Sequence, residues 1–104
     1  MELRHLRYFV AVADALSFTK GAQKLHLSQP SLTRQIKDLE EEIGVRLIDR
    51  SKQGVNLTRK GASFLIDAKR VLDLSAEVVK SVEQRDNSPT STLNLGDYAY
   101  VVYV

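Results

Sequence analysis

The chain predicts a mainly α fold: three short amphipathic helices, a small β-hairpin and one long helix. Three observations carry that expectation. Apolar residues recur at three- and four-residue steps from Leu3 as far as Val82. Ser17, Ser28 and Thr58, side chains that cap helix starts, stand just before three of those runs. One pair of β-prone runs, separated by a polar turn, interrupts them between positions 45 and 57.

Leu3, Leu6, Val10 and Ala13, joined by Phe9, Val12 and Leu16, predict a helix over residues 3–15. After Ser17, Phe18, Ala22 and Leu25 form the stripe of a second helix, over about 18–25. A tight connection at His26-Leu27 leads to Ser28 and a third helix with Pro30 in its first turn, where no internal amide bond is lost. Leu32, Ile36, Leu39 and Ile43 give that helix its buried face, and Gly44 ends it as a left-handed residue. Val45-Arg46-Leu47-Ile48 and Val55-Asn56-Leu57 flank a polar turn as a hairpin.

Thr58 caps a long fourth helix from about 59 to 86. On it Leu65, Ala68, Leu72, Ser75, Val79 and Val82 repeat at 3, 4, 3, 4, 3, and Phe64, Val71 and Val78 widen the stripe. The small domain before it is too short to cover so wide a seam, and a second copy of the helix is its natural cover. Residues 86–92 are polar, contain Pro89 and lack periodicity, which marks a linker. Residues 93–96 alternate like the opening of a strand, and 97–104 are β-prone and aromatic-rich. Such a stub is expected neither to pair its own backbone groups nor to bury its face alone. It stands where a second domain should begin.

Composition bounds the function. The 104 residues, 43% of them apolar, allow one ordinary domain plus a tail. No cysteine is present, which excludes disulfides, thiolate zinc sites and cysteine nucleophiles. No run of about 18 apolar residues offers a membrane span. Arg4, His5, Arg7 and Asp14 argue against a signal peptide, so a cytoplasmic protein is expected. His5 and His26 fall on different elements, and no glycine-rich phosphate loop, zinc spacing or nucleophile motif occurs. Neither an enzyme nor a cofactor or metal is expected.

A net charge of +2 names no partner, but the order of the charges is informative. Residues 19–37 hold Lys20, Lys24, Arg34 and Lys37 and no acid; Asp38, Glu40, Glu41 and Glu42 follow at once. From 46 to 60 the balance returns, with Arg46, Arg50, Lys52, Arg59 and Lys60 against Asp49. The pair 18–25 and 29–43 with its short turn matches a helix-turn-helix. At about 100° per residue, inward apolar residues on the second of these helices put Pro30, Arg34 and Lys37 outward, with Thr33 beside them. Arg34 suits guanine O6 and N7, Gln29 can pair with adenine, and Ser31 and Thr33 can bond base edges or phosphates. Carboxylates at the rear of the helix would repel phosphate, which favours entry into the major groove by the N-terminus. Arg50, Ser51 and Lys52 make a second basic point at the hairpin tip. The competing reading of each set is a solvated surface.

Residues 1–88 resemble the N-terminal part of the LysR-type transcriptional regulators. The resemblance lies in Phe9-Val10-Ala11-Val12-Ala13, Ser17-Phe18-Thr19, Ala22 with Leu25, and Leu27-Ser28-Gln29-Pro30-Ser31-Leu32. It continues through Gln35-Ile36, Leu39-Glu40, Gly44, Leu47 with Arg50, and Leu57-Thr58 with Gly61. It implies a winged helix-turn-helix over 1–58, with the helix-turn-helix near 18–37 and the wing near 46–58. A dimerising linker helix over 59–87 follows, then a hinge and first strand of an effector-binding domain over 88–104.

The resemblance also implies base contacts from Gln29, Pro30, Ser31, Thr33 and Arg34. Backbone or wing contacts fall to Lys20, Lys37, Arg50, Ser51, Lys52 and Gln53. Dimerisation falls to Phe64, Leu65, Ala68, Val71, Leu72, Ser75, Val78, Val79 and Val82. Gly21 departs from the usual alanine, which should loosen the second helix slightly; Thr33 replaces serine, Ile48 replaces phenylalanine, and Gln53 gives the wing no second arginine.

The expected partner is double-stranded DNA bearing a pseudo-palindromic operator. The expected assembly is a homodimer or a pair of dimers, in the bacterial cytoplasm at the nucleoid. A small-molecule inducer enters only with a C-terminal domain. The alternative is a truncated interaction module that heterodimerises with a full-length regulator through the linker helix.

Overall fold

A computed structural model describes residues 1–84, 90–95 and 98–103, with side chains over 1–84. The order is α1 (Leu3–Ala15), α2 (Phe18–Leu25), α3 (Gln29–Ile43), β1 (Ile48–Asp49), β2 (Asn56–Leu57), α4 (Arg59–Glu83), β3 (Thr90–Leu95) and β4 (Tyr98–Tyr103). The first three helices match the expected bounds. The long helix ends at Glu83, before the expected 86.

Local chemistry sets the helix ends. The Ser17 hydroxyl accepts from the Lys20 amide at 3.1 Å, and that of Ser28 from the Ser31 amide at 3.2 Å. Leu16 and His26 take left-handed conformations without being glycine, at φ 51° and 56°. Each lets the next amide bond back into the helix, Ser17 to the Val12 carbonyl and Leu27 to that of Ala22. Two sharp turns therefore fold α1, α2 and α3 onto one another.

The core they enclose holds Phe9, Val12, Ala13, Ala22, Leu32, Ile36, Leu39, Leu47 and Ile48, all buried. Gly21 is also buried; a Cβ there would stand 3.2 Å from Val12 Cγ2. Its missing methyl lets α2 lie close on α1 at Val12. Ile48, 1% exposed, fills the space beneath the wing.

The wing is smaller than its β-prone runs. Only Ile48↔Leu57 and Asp49↔Asn56 pair. Val45 and Arg46 lie outside the ladder because the chain there is still closing the end of α3, with the Val45 amide on the Glu40 carbonyl.

The chain divides into two compact units, Met1–Leu74 and Ser75–Val104. The first reaches well past the expected boundary at 58, because the start of α4 belongs to the domain core. Ala68 is 2% exposed, and the Phe64 ring meets Phe9 edge to face at 5.4 Å. Lys69 pairs with Asp14 at 2.9 Å across the surface, so α1 and α4 are tied at both core and rim.

In the second unit, the tail departs from expectation. Thr90–Leu95 and Tyr98–Tyr103 form an antiparallel hairpin, from Thr90↔Tyr103 to Leu95↔Tyr98. The stub does pair its own backbone, and Thr90, Ser91 and Thr92, expected in the linker, join its first strand. Gly96 and Asp97, between the two strands, lie outside the described residues. The rest of the expected linker, 86–89, lies outside the described residues.

Gly61 decides how closely α4 can approach the wing. A Cβ on it would fall 2.0 Å from the Leu47 carbonyl oxygen, a backbone atom that cannot step aside. Gly61→Ala is therefore expected to destabilise the first unit by about 3 kcal/mol or more, the upper end of overpacking penalties. Urea denaturation followed by circular dichroism checks this, and an unchanged midpoint would show that α4 can shift freely.

Candidate nucleic-acid interface

The start of α3 presents a tip of polar side chains. Gln29, Pro30, Ser31, Arg34 and Lys37 are exposed, and Thr33 is half-buried, while Leu32, Ile36 and Leu39 on the other side are fully buried. The outward set inferred from periodicity is thus the outward set in the fold. Pro30 in the first turn leaves no amide unsatisfied, and Ser28 closes the cap. Lys20 is exposed on α2.

Internal hydrogen bonds orient this tip. The Ser28 hydroxyl donates to the Ser31 hydroxyl at 2.8 Å, which leaves the Ser31 proton free to donate outward. The Thr19 hydroxyl donates to Gln29 Oε1 at 3.0 Å, linking α2 to the first residue of α3. Sequence reasoning placed Thr19 in the family pattern and gave it no role at the site. It stands ten positions before Gln29, and no local periodicity joins them.

The wing hangs from one carboxylate. Glu40 Oε2 accepts from the Leu47 amide at 2.6 Å and the Ile48 amide at 3.2 Å, and Oε1 accepts from Arg50 Nη1 at 2.9 Å. Glu40 is only 10% exposed at its side chain. The acidic block therefore is not a uniform repulsive rear: Glu40 is turned inward, and Glu42 pairs with the Met1 ammonium. That hydrogen bond holds the Glu42 carboxyl below the usual glutamate range.

Arg50, expected at DNA, is held by Glu40 instead, and its Nη2 is buried with no hydrogen bond among the described residues. Ser51 is likewise engaged. Its hydroxyl and its amide both donate to Asp49 Oδ1, and these two bonds lower the Asp49 carboxyl from its ordinary range. The Ser51 hydroxyl proton is thereby withheld from phosphate. Lys52 and Gln53 are exposed at the tip, which closes through Asn56 Nδ2 donating to the Gln53 carbonyl at 3.1 Å and Gly54 at φ 82°.

The seam on α4 divides into two uses. Phe64, Leu65 and Ala68, expected at a dimer contact, pack on the domain's own core. Leu72 and Ser75 are half-buried and Val71 is exposed. Val78, Val79 and Val82 keep 56%, 57% and 58% of their surface, and Leu74, which the sequence reading missed, keeps 60%. Among the described residues no cluster of metal-binding side chains is assembled, and no helix is long and apolar enough to cross a membrane.

This geometry can be set beside known proteins. The family model for bacterial regulatory helix-turn-helix proteins of the lysR family matches residues 3–62. The chain belongs to the LysR family. Its LysR relatives include the Hca operon transcriptional activator HcaR of Escherichia coli, 62% identical over 73 residues. That match covers 70% of this chain and 25% of HcaR. The regulator TfdS of Cupriavidus pinatubonensis is 43% identical over 103 residues, covering 99% of this chain and 35% of TfdS. The chain thus spans about a quarter to a third of the length of these curated relatives.

Among solved structures, the complex of the BenM DBD with benA site 1 DNA matches with a TM-score of 0.79 at 46% identity. It covers 81% of this chain and 94% of that one. The CbnR DBD–DNA complex matches with a TM-score of 0.76 at 44% identity, over 80% and 95% of the two chains. The winged helix-turn-helix that the resemblance implied is the architecture of this LysR chain.

Removing the Glu40 carboxylate leaves two amides and a guanidinium without an acceptor. Glu40→Ala is expected to cost about 2–4 kcal/mol, because partly buried donors then lose their only partner. Chemical denaturation measures the loss, and a change within experimental error would mean that the wing does not depend on this anchor.

Proposed function

We propose that this chain is the DNA-binding part of a LysR-type transcriptional regulator, reading duplex DNA with the start of α3 in the major groove. The observation that supports it most is the outward polar tip at Gln29, Ser31 and Arg34, backed by buried Leu32 and Ile36 and joined through Glu40 to the wing. Gln29, Pro30, Ser31, Thr33 and Arg34 face the bases. Lys20 and Lys37 meet phosphates, and Lys52 and Gln53 carry the wing contact at the backbone or minor groove. Arg50 sets the wing's position, and Ser51 stiffens its turn. Lysine and arginine contacts supply salt-dependent affinity, while the α3 tip supplies discrimination.

The regulator acts as a dimer on a pseudo-palindromic operator, its half-sites about one helical turn apart. Leu74, Val78, Val79 and Val82 are too exposed to be stable without a cover, and a second α4 offers matching apolar surface. A dimer of dimers extends the same arrangement. A small-molecule inducer would act through a C-terminal domain, and the working compartment is the bacterial cytoplasm at the nucleoid. The relatives solved on DNA disfavour the reading as an interaction module that does not bind DNA.

Arg34→Ala is expected to cost about 1–3 kcal/mol on the preferred site and to relax the choice of one base. Titration of preferred and random duplexes checks this; equal weakening on both would remove Arg34 from the bases. Val78→Asp should raise the dimer dissociation constant by roughly tenfold or more, since a charge replaces a valine that the second α4 would cover. Sedimentation equilibrium reads the change, and an unaltered constant would place the dimer contact elsewhere.

A further inference from the structure

The hydrogen bond from Thr19 to Gln29 joins two exposed side chains, so it adds little to the stability of the domain. Its consequence is chemical. A glutamine amide recognises adenine by two bonds at once: its oxygen accepts from N6 and its nitrogen donates to N7. That mode requires both ends of the planar amide to face one base. In this chain Oε1 accepts from the Thr19 hydroxyl at 3.0 Å, a bond that fixes the plane of the amide from the α2 side and leaves Nε2 as the end with no hydrogen-bond partner among the described residues. Ser31 is biased in the same sense, because its oxygen already accepts from Ser28 and its proton is free.

We propose that Thr19 is a specificity-determining positioning residue, which converts Gln29 from a two-bond adenine reader into a single donor. The proposal rests on the reading of α3 as the base-reading helix. A lone donor is satisfied by any acceptor on the major-groove edge: purine N7, guanine O6 or thymine O4. Cytosine presents only its N4 donor there and is rejected. The wild-type chain therefore tolerates adenine, guanine and thymine under Gln29 and disfavours cytosine. Removing the Thr19 hydroxyl frees the amide to turn, and the position narrows to adenine.

The test uses the full chain. The preferred duplex is first selected from a randomised library, and the base read by Gln29 is the one whose preference disappears in Gln29→Ala. Four duplexes differing only at that base are then titrated with wild type, Thr19→Val and Thr19→Ser. Thr19→Val has nearly the same shape without the hydroxyl and is expected to gain about a tenfold preference for adenine over guanine. Thr19→Ser, which keeps the hydroxyl, should return the wild-type pattern. The added preference should vanish when Thr19→Val is combined with Gln29→Ala. A wild type that already selects adenine alone, or a Thr19→Val profile identical to wild type, overturns the assignment of Thr19 and leaves the proposed function standing. A wild type without any base preference overturns both.

Discussion

The geometry of the first unit depends on how Leu47 is held. Its side chain is fully buried, and both of its backbone polar groups are taken by residues from other elements. The amide donates to the Glu40 carboxylate, and the carbonyl accepts from the Thr58 amide at 3.0 Å. Thr58 also donates its hydroxyl to the Arg46 carbonyl at 2.6 Å and accepts from the Gly61 amide at 2.9 Å. Three elements therefore meet on two consecutive residues: α3 through Glu40, the wing through Ile48, and α4 through Thr58 and Gly61. A backbone segment buried this deeply must have its hydrogen-bonding groups satisfied, and those partners also fix the angle between helix and wing.

Such an anchor matters for the proposed docking on a regular duplex, in which the domain moves as a rigid body. Two reading points on separate elements are useful only if their spacing is constant. The short ladder of the wing, two residue pairs long, is too small to hold its own orientation. Its base is held instead by the Arg50–Glu40 pair and by Ile48 in the core. Charge is thereby used structurally at the wing root, while Lys52 at the tip stays free for solvent or phosphate.

The same economy of surface runs along α4. One helical face begins against Phe9 through Phe64 and continues, four and three residues at a time, to Val78 and Val82 in the open. A single apolar stripe thus completes a core at one end and stays exposed at the other, where the proposed second copy would cover it. The stripe looks uniform in sequence because burial against one's own domain and burial against a partner demand the same residues.

Much of this was readable from residue order alone. Helix bounds followed from periodicity and caps, since Ser17, Ser28 and Gly44 act on immediate neighbours. The outward set on α3 followed because helical geometry assigns faces without reference to anything else. What only the tertiary structure decided was the partnership between distant groups. Arg50 and Glu40, Thr19 and Gln29, Gly61 and Leu47 are each ten or more positions apart, and nothing in local periodicity couples them. Whether a charged or polar side chain faces solvent or a neighbour depends on what the fold brings within hydrogen-bond reach. Arg50 and Ser51 therefore read as free contacts in the sequence and as tied ones in the structure, while Gln29 stays exposed but is turned. The tail hairpin escaped the sequence reading, because pairing is a property of two segments together, and either one alone reads as an unpartnered strand.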